Sequence, residues 1–259
     1  MENTTCKQLR KAWKLTRNEY CCGHKKFYSY VSAADEKAFK DDQELFFYYQ
    51  THILPQPFFG KIENPKIVIL ALNPKYLPLE SESEIKKVFK LTKDKKYISD
   101  NELSTYINNT NKIFEEDECT KQWWKNNVFD GLEYSDIDVI LDNVAIFNLC
   151  GYHSLNYQSI PRNVLERELP TQTALKEHLA FVLSQENVQI IKIWGVEWKD
   201  FLEQIKQQIK NDPVKSKNFE DNVNNMLVVN EKNPRNKKII NAPKCSSKIK
   251  EMFKNFKKK

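Results

Sequence analysis

Asn73, Asn148 and His153 are the residues whose types and settings bear most directly on chemistry. A carboxamide carries a donor and an acceptor in one plane. It can orient a water through its oxygen, or pair with a molecule that presents a donor beside an acceptor. It is not a strong base, so a reaction run through an amide depends on a labile leaving group. An imidazole can donate to a leaving group or to a phosphate. Each residue also has a plainer reading: a turn-forming Asn before proline, a strand-end Asn capping backbone groups, and a structural histidine.

The elements that would position these groups follow from the apolar runs. Lys66–Leu72 is closed off by Pro65 in front and by Asn73-Pro74 behind. Proline is excluded from helix interiors and pushes the residue before it toward extended backbone. A continuous β-branched run bounded in this way predicts a strand buried on both faces. Asn73 then emerges at the strand's C-terminal end, where open α/β sheets form their crevices. Further strands are expected over Asp138–Leu149, Val188–Trp194 and Met226–Val229. Asn148 falls near the end of the second of the four, and His153 follows it in Gly151-Tyr152-His153-Ser154.

Apolar stripes at helical spacing fill the intervals: Leu175, Leu179 and Val182, then Trp198, Phe201, Leu202, Ile205 and Ile209, and finally Ile249, Met252, Phe253 and Phe256. Strands alternating with helices predict a three-layer α/β/α domain around a central four-stranded, mainly parallel sheet. Residues 1–50 read as helical, from Leu9, Ala12 and Trp13 on one face and from the spacing of Ala38, Phe39, Leu45, Phe46 and Tyr49. The polar stretch of about 78–128, with helical segments near 82–89 and 103–114, is expected to be an insertion within a single domain of 1–259. It would be a lid or protein-partner surface, or simply a helical excursion.

Composition narrows the chemistry. The net charge of +6 is concentrated late in the chain, in NEKNPRNKK and KIKEMFKNFKKK, which suits a nucleic-acid partner. No apolar run approaches the roughly 20 residues of a membrane helix, and the N-terminus has no apolar signal core. A soluble cytoplasmic chain is expected, or a nuclear one in a eukaryote. The six cysteines form no paired CxxC framework and read as reduced thiols, with Cys21-Cys22-Gly23-His24 at most half a metal site. The four histidines form no HExxH pair, and the five glycines are scattered rather than clustered as a phosphate loop requires. No metal and no cofactor are expected.

Four segments, in order, resemble the uracil-DNA glycosylase superfamily. LALNPKY at 70–76 resembles its water-activating turn, and NVAIFNLCGYHS at 143–154 its second strand with a base-reading Asn. IIKIWGVEW at 190–198 resembles the strand and turn leading into a helix, and NEKNPRNKKIINAPKCSS at 230–247 falls where the leaving-group and phosphate loop would lie. The lead-in LPQPFFG at 54–60 is similar to that of a bacterial subgroup.

The resemblance implies base flipping and hydrolysis of an N-glycosidic bond in DNA, as in DNA repair. Asn73 would hold the water, and His153 would serve the leaving base. Asn148, Phe59 and Tyr76 would bind the extruded base. Lys75, Ser154, Arg235, Asn241 and Ser246 would hold DNA phosphates, with Asn241 alternatively serving the leaving group. Core packing is the competing reading of Phe58 and Phe59. Three departures stand out: Ala71 replaces the usual Gly, Lys75 replaces Gly or Tyr, and the last loop lacks His-Pro-Ser-Pro. They leave open a catalytically inactive module of the same fold that binds nucleic acid, nucleotide or protein. They also leave open an unrelated α/β protein that assembles through its insertion.

Overall fold

The computed structural model describes residues 3–22, 25–42, 54–72, 142–154, 167–193 and 197–228, with positions 45, 48, 49, 51, 103, 106, 107, 164 and 251 beside them. The chain forms two compact units. The first draws on Met1–Pro57, Asn73–Cys119 and Asn148–Leu175, the second on Phe58–Leu72, Thr120–Phe147 and Lys176–Lys259.

The first unit begins with α1 (Thr4–Ala12). Asn3 caps it, its side-chain oxygen accepting the Thr5 N–H at 2.8 Å, while Arg10 and Lys11 face the negative end of the helix dipole. The expectation that residues 1–50 are helical then fails. β1 (Leu15–Cys22) and β2 (Lys25–Ser32) pair antiparallel from Leu15↔Ser32 to Cys22↔Lys25. Val31 and the aromatic Phe27, Tyr28 and Tyr30 are residue types that favour a pleated ribbon over a helix. The short α2 (Glu36–Asp41) follows and buries Phe39.

The second unit holds β3 (Phe58–Gly60), β4 (Ile67–Ala71), β5 (Val144–Asn148), β6 (Gln189–Lys192) and β7 (Leu227–Val228), in the order β3-β5-β4-β6-β7. β4 runs parallel to β6 from Ile67↔Gln189, and β6 parallel to β7. β3 lies antiparallel to β5, with Phe58 opposite Phe147. The sheet is therefore five-stranded and mixed, not four-stranded and mainly parallel as expected. Three residues are too short a run to register as a strand, and sequence carries no direct sign of strand direction.

Gly60 explains how β3 seats: its φ is +79°, and a Cβ there would run into the Val144 carbonyl. Every residue of β4 and β5 is buried, and each such Val, Ile or Phe contributes roughly 1.5–3 kcal/mol of burial.

α3 (Pro170–Val182), α4 (Glu197–Ile209) and α5 (Pro213–Asn224) complete the described elements. α4 buries Trp198, Phe201, Leu202, Ile205 and Ile209, one apolar stripe at helical spacing. α5 was not expected, although it carries its own start signal. Pro213 occupies the first turn, and the Asp212 carboxylate accepts the Lys215 N–H at 3.0 Å. Asn222 donates to the carbonyls of Leu183 (3.0 Å) and Gln185 (2.8 Å), satisfying backbone acceptors just beyond α3.

Among the described residues no helix is long and apolar enough to cross a membrane. The expected final helix, apart from Glu251, lies outside the described residues, as does the 78–128 insertion apart from the buried Leu103, Tyr106 and Ile107.

Candidate functional site

Asn148 is the last residue of β5 and is 4 % exposed. Its N–H donates to the Pro57 carbonyl at 2.9 Å, and its Nδ2 donates to the Gln56 carbonyl at 2.6 Å. Two backbone carbonyls of the Leu54–Pro57 lead-in thus fix the plane of the amide. Among the described residues, one amide hydrogen and the Oδ1 acceptor of Asn148 have no further partner.

The chain after β5 is held by the same lead-in and by a buried acid. Gln56 N–H donates to the Gly151 carbonyl at 2.7 Å, and Gln172 Nε2 reaches the Leu149 carbonyl at 3.3 Å. Gly151 is required sterically, because a Cβ would strike the Trp13 ring and the Pro57 backbone. Tyr152 stacks among Trp13, Phe39 and Tyr49, with centroids 5.2, 5.1 and 5.8 Å away. Its hydroxyl accepts the Ser32 N–H at 3.0 Å and donates to Asp35 at 2.8 Å. His153 and Ser154, which come next, are 5 % and 1 % exposed.

Asp35 was missed in the sequence. It sits before α2, where an acid reads as a local helix cap, yet it makes no cap bond to α2. Its carboxylate instead reaches the start of α3, accepting from Thr171 N at 3.0 Å and Thr171 Oγ1 at 2.7 Å. No local pattern announces a pairing across more than 130 residues. Burial pushes the Asp35 carboxyl above its usual range, against the pull of its hydrogen bonds from Thr171 and Tyr152. Burial also raises the phenols of Tyr49 and Tyr152, and lifts the Cys150 thiol to about 12. Asp35 is fully enclosed, so it meets no substrate. It is a latch that positions the segment carrying Asn148 and His153.

The other expected site residues divide in two. Phe59 is 2 % exposed in β3, opposite Ile146, so its ring surface is committed to the core of the second unit. Asn73, Lys75, Tyr76, Arg235, Asn241 and Ser246 lie outside the described residues. The exit of β4 toward Asn73 is described as far as Leu72, and the Trp198 indole donates to the Ala71 carbonyl there at 3.1 Å. Among the described residues no three His, Cys, Asp or Glu side chains converge as a metal-binding group. Compared with protein-family models, curated proteins and solved structures, the chain matches none.

Proposed function

We propose that this chain is a DNA glycosylase-like hydrolase that flips a modified or mismatched base out of DNA and cleaves its N-glycosidic bond with water. The observation that carries the reading is Asn148: a strand-end amide held by the Gln56 and Pro57 carbonyls, with one donor and one acceptor still available. The strand order supports it, since β5 lies beside β4, the strand that leads directly into Asn73. In this reading Asn73 orients the water, Asn148 reads the base edge, and Lys75, Arg235, Asn241 and Ser246 hold phosphates, while Ser154, 1 % exposed, is enclosed and takes no part in phosphate binding. The Asn73 amide is a weak base, so substrates with labile leaving bases are favoured.

A second reading rests on the burial of His153 and Phe59, two groups that a working pocket would use. It makes the chain a glycosylase-fold module that binds nucleic acid, nucleotide or protein without cleaving. Abasic-site formation on a panel of oligonucleotides carrying modified and mismatched bases separates the two. Cleavage of at least one substrate, lost by about 10²-fold or more in Asn73→Ala and in Asn148→Ala, supports the enzyme. Binding to DNA without cleavage across the panel supports the module.

A further inference from the structure

In the proposed hydrolysis the attacking water must lose a proton, and the Asn73 amide is a poor acceptor for it. The carboxyl edge of the sheet carries a better one. Parallel β4 and β6 end side by side there, with Leu70 opposite Lys192 and the Ile193 N–H donating to the Leu70 carbonyl at 2.9 Å. α4 begins shortly afterwards, at Glu197. Its second residue, Trp198, is fully buried and donates its indole N–H to the Ala71 carbonyl at 3.1 Å. The backbone of Glu197 is thereby fixed beside the exit of β4, the strand that leads through Leu72 into Asn73.

The Glu197 carboxylate is set apart by its hydrogen bonding. Its Oε2 is buried, and among the described residues nothing donates to it. A buried carboxylate oxygen without a donor keeps its desolvation cost, and native folds leave few such atoms. The helix dipole accounts for an acid in a first turn, as it does for the exposed Asp200 of the same turn. It does not account for burying an oxygen, since an acid serves the dipole equally well from solvent. Glu197 as a residue is only partly buried, unlike the enclosed Asp35, so a water at the sheet edge can reach its carboxylate.

We propose that Glu197 is the general base of this hydrolysis, an assignment that rests on the glycosylase reading. Its carboxylate takes one proton from the water as the water oxygen bonds to C1′ of the deoxyribose. The C1′–N bond breaks and its electron pair leaves with the base. The proton then passes from Glu197 to the base nitrogen, so the products are a free base and an abasic sugar with a hydroxyl at C1′. With a carboxylate in this role, the bases that can be released extend beyond the most labile leaving groups.

Single-turnover release of the base from the same oligonucleotide panel tests this in the full chain, with DNA affinity measured beside it. Glu197→Gln keeps the shape of the side chain and removes its basicity. It is expected to slow cleavage by about 10²-fold or more, the lower end of what a general base contributes, with DNA affinity nearly unchanged. Formate, which can enter the space left in Glu197→Ala, is expected to restore that variant by about tenfold or more. Asp200→Asn is expected to keep the wild-type rate, whereas a helix-dipole role would make the two first-turn acids alike. A loss of about tenfold or more in Glu197→Gln, with rescue of Glu197→Ala by formate, supports the assignment. If the wild type cleaves and Glu197→Gln loses less, or formate revives nothing, or Asp200→Asn loses as much, the assignment falls and the glycosylase reading stands. If the wild type cleaves nothing on the panel, the glycosylase reading falls and takes the assignment with it. Should one Glu197 variant fail to fold, the other decides alone.

Discussion

The two units solve the problem of a buried interior in opposite ways. The second is a sheet whose central strands β4 and β5 are buried at every position, and its polar groups serve mainly backbone ends, as Asn222 and Asp212 do. The first is organised around a polar centre, the Asp35 carboxylate with Tyr152, Thr171 and Ser32, packed inside an aromatic cluster. An apolar sheet tolerates imperfect partners, because dispersion and burial are not directional. A buried carboxylate network does not, because each stranded donor keeps its full desolvation cost. The first unit should accordingly be brittle toward loss of a single group and toward pH, and the second toward loss of volume or backbone freedom.

The largest effect is expected from Asp35→Ala. Removing the carboxylate strands three donors at once, for a loss of roughly 4 kcal/mol, read as a drop in urea midpoint. A loss under about 1 kcal/mol would erase the contrast between the units. Gly60→Ala comes next, at about 3 kcal/mol, since it combines a positive φ with a collision at the Val144 carbonyl. Trp198→Phe keeps most of the packing and leaves the Ala71 carbonyl without its indole donor, for about 1 kcal/mol.

The smallest effects sharpen the comparison by charge. Between the ordinary carboxylate value of 3.8 and the raised value that Asp35 has in the fold, the folded chain retains a proton that the unfolded chain has released. The stability this group contributes is full below that window and falls as pH rises through it. Urea midpoints measured in steps of pH should show this decline in the wild type, and Asp35→Asn should remove that component of the slope. With its thiol near 12, Cys150 should react with iodoacetamide at pH 8 about a thousandfold more slowly in the native chain than in urea, as read by mass spectrometry of its peptide. Rapid native labelling would mean that the aromatic cluster opens readily.

Much of the second unit was legible because its strands are long apolar runs with proline punctuation. The expected Lys66–Leu72 and Val188–Trp194 enclose the observed Ile67–Ala71 and Gln189–Lys192. Trp198 to Ile209 marked α4 by spacing alone. The first unit was read wrongly where helical spacing on either side, at Leu9–Trp13 and Ala33–Tyr49, was carried across the ribbon between them. The aromatic run of β2 and the nearby glycine were the signals available. The strand-end position of Asn148 was legible from the apolar run before it, whereas its fixation by Gln56 was not, because hydrogen bonds to backbone carbonyls leave no trace in residue type. Asp35 was hidden for the related reason that its partners are distant and its local setting imitates a cap.

The Trp198 indole bond has a mechanical consequence. It joins the first turn of α4 to the carbonyl that closes β4, so helix and strand exit share one coordinate. A shift of the first turn of α4 would therefore be transmitted, through one hydrogen bond, to the last backbone carbonyl of β4.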